Sequence, residues 1–119
     1  MSISGDRRSP VPESGALAIQ DSVVCGRHTL VLRGELDLSQ SAEVEGLLQQ
    51  VCSNGTRGIT LDLSGLTFMG STGLRVVLLA RDLCRERGYE FGVVPGPASV
   101  QRVFEVTGLT GIIPFEATA

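Results

Sequence analysis

The chain has 119 residues, of which 42% are hydrophobic and 4% aromatic, and its formal net charge is −3. This length and composition predict one globular domain. The mild negative charge and the absence of Trp argue against binding to nucleic acid or to an anionic membrane surface, and no apolar run reaches the roughly 18 residues of a membrane span.

The three cysteines, Cys25, Cys52 and Cys84, are odd in number and widely spaced. Each lies in or next to an apolar run, which predicts buried free thiols rather than disulfides, redox centres or metal ligands. Free thiols indicate a reducing compartment, here the cytoplasm. The pair Arg7–Arg8 has no hydrophobic stretch behind it, which argues against a secretion signal.

The first elements follow a polar start. Residues 1–14, MSISGDRRSPVPES, contain two prolines and show no periodicity, which predicts a disordered tail before a domain over 15–119. Strand patterns follow at 16–20 and 28–37, and the residues VCGR between them indicate a hairpin.

The apolar period then changes to that of a helix, in the segment SQSAEVEGLLQQVCSNG. One helical face would carry Val44, Leu47, Leu48, Val51 and Cys52. Ser39 or Ser41 can cap the start of this helix, and Asn54–Gly55 can end it in a left-handed conformation.

The later elements alternate between the two periods. They are a strand over 58–65, a helix over 71–88, a strand over 89–96, a helix over 97–108 that starts at Pro97 and ends at Gly108, and a short strand over 111–115. The helix over 71–88 is apolar nearly all round between Val76 and Ala80, so we expect it to be the most buried, with Leu74, Val77 and Leu78 against the sheet. The order β-β-α-β-α-β-α-β predicts an α/β fold: a small, mostly parallel sheet with an antiparallel N-terminal strand and helices packed against it.

The turn TFMGSTGL, residues 67–74, has two enzymatic interpretations, and both fit poorly. Gly65–Thr72 approaches the phosphate-binding loop pattern, but Ser71 stands where the lysine is required and bulky apolar residues fill the loop. A serine hydrolase turn needs a small residue where Met69 stands, and its triad needs a histidine, of which the chain has only His28.

A third interpretation places the turn at the start of a helix. The preceding strand is expected to end near Leu63, after which Ser71 or Thr72 becomes the N-cap, worth about 1 kcal/mol. The same position favours anions, because free amides and the helix dipole attract negative charge. A phosphate on Ser71 would bring close to two negative charges there. On these grounds a structural cap and a phosphorylation site remain equally open.

The segment LDLSGLTFMGSTGLRVVL resembles the signature of the STAS domains of anti-sigma factor antagonists, which reads as strand, D-x-S-x-[VL]-x-[FY]-[MIL]-D-[ST]-[ST]-G, then helix. GELD before the first helix, FGVVPGPASVQRVFEVTGL near the end, and the element order extend the resemblance over about residues 16–115. The resemblance implies a STAS-type fold and a regulatory protein with no enzymatic activity, cofactor or metal.

The resemblance also implies the partners. An unphosphorylated antagonist binds an anti-sigma factor that is also a GHKL-type serine kinase, and so frees the sigma factor. The kinase phosphorylates the serine corresponding to Ser71, with Thr72 the weaker candidate, and a PP2C-type phosphatase removes the phosphate. The expected partner-binding residues are Asp37, Gly70, Ser71, Thr72, Gly73 and Arg75.

One residue departs from the family pattern: Gly70 stands where Asp commonly precedes the phosphorylated serine. The loss of that carboxylate can alter kinase recognition, or mark a relative that is never phosphorylated. The alternative function is therefore a STAS binding or scaffold subunit of a stress-sensing or transport assembly. For Asp37, a cap of the first helix is as good an interpretation as a partner contact.

Overall fold

The computed structural model describes residues 16–116, so the expected tail over 1–14 lies outside the described residues. The strands are β1 (Leu17–Val24), β2 (Arg27–Leu36), β3 (Gly58–Met69) and β4 (Glu90–Val94). The helices are α1 (Leu38–Asn54), α2 (Ser71–Arg87) and α3 (Ala98–Val106).

The four strands form one sheet in the order β1-β2-β3-β4. Strand β1 is antiparallel to β2, whereas the pairs β2–β3 and β3–β4 are parallel. The β1–β2 turn has positive φ at Cys25 (54°) and Gly26 (78°), as a two-residue turn between twisted antiparallel strands requires. The predicted hairpin and mostly parallel sheet are confirmed, although β1 is longer than the predicted 16–20.

Strand β3 continues to Met69 and does not turn near Leu63, so the predicted end of this strand is wrong. Its pairing with β2 slips at two places, between Val31 and Arg33 and between Gly34 and Glu35. Each slip inserts an extra residue into β3, as a β-bulge does. Because of these bulges, the segment that follows Leu63 stays paired with β2, although its Ser and Gly residues are typical of a turn.

The core lies between the sheet and the helices. Strands β2 and β3 contribute fully buried alternate side chains: Leu30, Leu32, Leu36, Ile59, Leu61 and Leu63. The predicted face of α1 is buried, except that Leu47 is half-buried. In α2, Val77 is fully buried as expected and Leu74 is buried, but Leu78 is only half-buried because it lies at the side of the inward face formed by Val77, Ala80 and Cys84.

The expected strand over 111–115 is wrong. Only one isolated bridge joins this segment to the sheet, between Val93 and Phe115. The backbone N–H groups of Ile112 and Ile113 both donate to the carbonyl oxygen of Leu109, at 3.0 Å each, so the chain bends here. Pro114 has no N–H to extend a ladder.

The cysteines are free, but they differ in exposure. Cys52 and Cys84 are buried as expected, whereas Cys25 is exposed at the hairpin turn, so the prediction is wrong for Cys25. Between residues 16 and 116, no group of three or more His, Cys, Asp or Glu side chains is arranged to hold a metal ion. No helix in the same part of the chain has the length and apolarity to cross a bilayer.

Candidate functional site

The predicted site lies where the parallel strands β2 and β3 end side by side. Leu36, the last residue of β2, pairs with Met69, the last residue of β3. The backbone N–H of Gly70 then donates to the carbonyl oxygen of Leu36 at 3.1 Å. This pairing brings Asp37, which follows β2, next to the start of α2. Ligand and partner sites of parallel sheets commonly lie at this carboxyl edge.

Helix α2 begins differently from the prediction, because its N-cap is Gly70 and not a hydroxyl residue. Gly70 has an extended backbone (φ −90°, ψ −174°), and its carbonyl oxygen accepts hydrogen bonds from the N–H groups of Gly73 (3.0 Å) and Leu74 (3.2 Å). Ser71 is therefore the first helical residue and Thr72 the second. Neither the Ser71 hydroxyl nor the Thr72 hydroxyl forms the side-chain hydrogen bond of an N-cap.

The two neighbouring hydroxyls have different surroundings. Ser71 is exposed, and its hydroxyl forms no hydrogen bond within the part of the chain that the structure describes. Thr72 is half-buried, and its Oγ1 donates to Oδ1 of Asp37 at 3.3 Å. Ser71 thus carries the more accessible hydroxyl.

Asp37 connects the starts of two helices. It is the N-cap of α1, where its backbone N–H donates to Oε1 of Gln40 at 3.1 Å and its carbonyl oxygen accepts from the N–H of Ser41 at 3.0 Å. The cap interpretation of Asp37 is confirmed. The predicted caps Ser39 and Ser41 are wrong: both lie inside the helix, and the Ser41 hydroxyl donates to the carbonyl oxygen of Leu38 at 3.0 Å.

Two glycines allow the close approach of these segments. A Cβ atom on Gly73 would lie 2.5 Å from Cγ of Met69 and 3.0 Å from Cγ of Leu36. Gly73 is buried and has no side chain that could contact a partner. Its role is to let the start of α2 pack closely on the ends of β2 and β3. A Cβ atom on Gly70 would lie 2.5 Å from Oδ1 of Asp37.

Around Ser71 the surface is mixed in character. Arg75 is exposed, four residues after Ser71 and so on the same side of α2, and it forms no ion pair within residues 16–116. Two large apolar side chains are also exposed, Leu38 (71%) and Phe68 (47%). We call these three residues together with Asp37, Gly70, Ser71 and Thr72 the Ser71 surface.

Leu38 and Phe68 were absent from the predicted set of partner-binding residues. Leu38 directly follows the predicted Asp37, and Phe68 belongs to the signature segment. Large apolar residues beside a polar site are a signal for contact with another protein, but their exposure depends on where α1 starts and β3 ends. The expected boundaries of both elements were wrong.

The structure supports neither the phosphate-binding loop nor the serine hydrolase interpretation of the segment TFMGSTGL. Gly65–Met69 lies in strand β3 and forms no phosphate-binding loop. His28, the one histidine of the chain, lies near the start of β2, at the opposite end of the sheet from Ser71. Its Nδ1 is 2.9 Å from Oγ1 of Thr56. Because His28 and Ser71 lie at opposite ends of the sheet, His28 cannot act as the base for Ser71.

A comparison with protein families gives a match over residues 24–114 to the model described as Mlab, STAS domain. The chain belongs to the STAS domain family. This match confirms the resemblance and spans strands β2 to β4 and all three helices.

Relatives of this STAS domain are named as anti-sigma factor antagonists. BtrV of Bordetella bronchiseptica, named as a candidate antagonist, is 32% identical over 83 residues, which are 70% of this chain and 72% of BtrV. The anti-sigma-B factor antagonist of Staphylococcus aureus is 30% identical over 80 residues, which are 67% of this chain and 74% of that protein.

The fold agrees with solved structures of such proteins. An anti-sigma factor antagonist from Mycobacterium paratuberculosis superimposes with a TM-score of 0.78 at 25% identity, covering 87% of each chain. The predicted STAS-type fold is confirmed.

Proposed function

We propose that this STAS domain is an anti-sigma factor antagonist controlled by phosphorylation of Ser71. Its unphosphorylated form binds an anti-sigma factor of the GHKL serine-kinase type and so frees a sigma factor. The relatives named as antagonists support the regulatory class, and a cytoplasmic location, where the thiols stay reduced, accompanies the proposal. The observation that carries the switch is the exposed hydroxyl of Ser71 at the first position of α2.

The Ser71 surface supports recognition by a protein partner. The apolar side chains of Leu38 and Phe68 can be buried in an interface, and Arg75 can pair with an acidic group of the partner. We include Asp37, Gly70 and Thr72 in this contact, whereas Gly73 acts by letting α2 pack closely on β2.

Phosphorylation would oppose this contact. The kinase transfers the terminal phosphoryl group of ATP to Oγ of Ser71, which loses its proton, and ADP leaves. The product carries close to two negative charges at neutral pH. These charges would enter an interface beside the apolar residues Leu38 and Phe68, where their desolvation is costly. A PP2C-type phosphatase would hydrolyse the phosphate and restore binding.

A second function is favoured by Gly70, because the family commonly has Asp at this position. A kinase that depends on that carboxylate would not phosphorylate this chain. The domain would then be a constitutive STAS binding or scaffold subunit of a stress-sensing or transport assembly, and would use the same surface without a switch.

The experiment that separates the two functions is phosphorylation of the full chain by candidate cognate kinases with ATP. Intact-mass measurement and fragment mapping should find one phosphate, on Ser71. Ser71→Ala should lose the phosphate, and the matched control Thr72→Ala should retain it. A chain that no kinase modifies, with a partner that binds wild type and Ser71→Ala equally under all conditions, would support the scaffold function.

A further inference from the structure

The carboxylate of Asp37 occupies the space beside Gly70 that a side chain at position 70 would need. A Cβ atom there would lie 2.5 Å from Oδ1 and 3.3 Å from Cγ of Asp37. The same Oδ1 accepts the hydrogen bond from Thr72. The absence of a side chain at position 70 therefore permits the contact between Asp37 and Thr72.

The hydroxyls of Ser71 and Thr72 at the start of α2 differ in exposure and in hydrogen bonding. Thr72 is half-buried, and its hydroxyl donates to the carboxylate of Asp37, which places a negative charge next to it. The Ser71 hydroxyl has no partner among residues 16–116 and faces solvent. Composition and spacing do not distinguish them, because both are hydroxyl residues between the same two glycines, and only the resemblance to the family signature favours Ser71.

We infer that Asp37, with the space left by Gly70, is a positioning and specificity-determining residue that makes Ser71, not Thr72, the reactive position of this surface. The inference rests on the proposed function for its biological meaning, since it assigns the acceptor of the phosphoryl group. Asp37 acts through Thr72 and never touches the reacting atoms.

Two substitutions separate this role from a purely structural one. Gly70→Ala forces Oδ1 of Asp37 to move, and the short side chain can rotate. The carboxylate also belongs to the capping box of α1, but the backbone contacts from Asp37 to Gln40 and Ser41 can still hold the start of that helix. Asp37→Asn keeps the shape but removes the charge, and Asn remains a good N-cap for α1. Both changes should make position 72 more reactive without changing position 71.

The test measures thiol reactivity at each position, which needs no kinase. Ser71→Cys and Thr72→Cys are made separately in the full chain, in a Cys25→Ser background because Cys25 is the exposed native thiol and the other two are buried. Iodoacetamide is the probe. The thiol at position 71 should react about tenfold faster than that at position 72, since reactivity follows exposure and thiolate character, and a nearby carboxylate disfavours the thiolate.

Gly70→Ala or Asp37→Asn should raise the rate at position 72 and reduce the ratio of the two rates at least about threefold. The matched control is Gly46→Ala, because a Cβ on that helical glycine meets nothing within 4 Å, and it should leave the ratio unchanged. Equal rates at the two positions, or a ratio that neither substitution alters, would overturn the inference. If the ratio behaves as expected but no kinase phosphorylates Ser71, the proposed switch fails and the positioning role of Asp37 stands.

Discussion

The substitution Gly73→Ala tests whether the start of α2 packs as closely on the strand ends as the structure shows. The new Cβ atom would lie 2.5 Å from Cγ of Met69, 3.0 Å from Cγ of Leu36 and 3.1 Å from the carbonyl oxygen of Leu36. Such overpacking costs about 1–3 kcal/mol. Replacing Gly by Ala in a helix adds about 1 kcal/mol of stability, so we expect the free energy of unfolding to fall by between about 0 and 2 kcal/mol.

The matched substitution Gly46→Ala should have the opposite sign. Nothing lies within 4 Å of a Cβ atom on this exposed residue of α1, so only the helix propensity changes and the protein should gain about 0.5–1 kcal/mol. Urea denaturation followed by circular dichroism measures both. A gain in stability for Gly73→Ala equal to that for Gly46→Ala would refute the close packing of β2, β3 and α2 at the site, because the new Cβ atom would then meet no neighbour.

Three further predictions follow from the core and the surface. Val77→Ala should destabilise by about 2 kcal/mol and Leu78→Ala by about 1 kcal/mol, because Val77 is fully buried and Leu78 half-buried; urea denaturation giving the reverse order would mean that α2 is rotated. Burial raises the pKa of the Cys84 thiol from 9.0 to about 11, so the unfolded chain deprotonates first and stability should fall as pH rises from about 9 towards 11; Cys84→Ala should weaken that dependence, and an unchanged pH profile would contradict it. Arg75→Gln should leave stability unchanged and weaken binding to the anti-sigma partner about three- to tenfold, with a smaller effect at high salt; calorimetry that finds no change would remove Arg75 from the interface.

Periodicity was sufficient to predict that four strands and three helices exist and that the sheet is mostly parallel, but it also predicted a strand over 111–115 that does not form. Strand β2 alternates buried and less buried residues, α1 repeats its apolar residues every three to four positions, and α2 ends at Gly88, as predicted. The left-handed end predicted for α1 is wrong, because Gly55 has φ 91° and ψ 137°, whereas Gly88 does adopt that conformation (φ 73°, ψ 23°). These signals are local, because each depends on which side of its own element faces the core.

The errors concern features that depend on pairing between distant segments. Nothing within Gly65–Met69 shows that two bulges keep it paired with β2. The extension of β3 moves the start of α2, so that Gly70 and not Ser71 becomes the N-cap. In the same way, the contact between Asp37 and Thr72 joins residues 35 positions apart. The signature segment supplied most of the candidate site residues, but only the parallel pairing shows how they are arranged.

Binding of the proposed anti-sigma kinase to Ser71 variants tests the central claim most directly. Ser71→Ala should fold normally, within about 0.5 kcal/mol of wild type because Ser71 caps nothing, and should bind the kinase like the unphosphorylated protein. Ser71→Glu should fold equally well, since a carboxylate is favourable at a helix N-terminus, yet bind about a hundredfold more weakly. Calorimetry showing equal affinities for Ser71→Ala and Ser71→Glu would contradict a switch at Ser71.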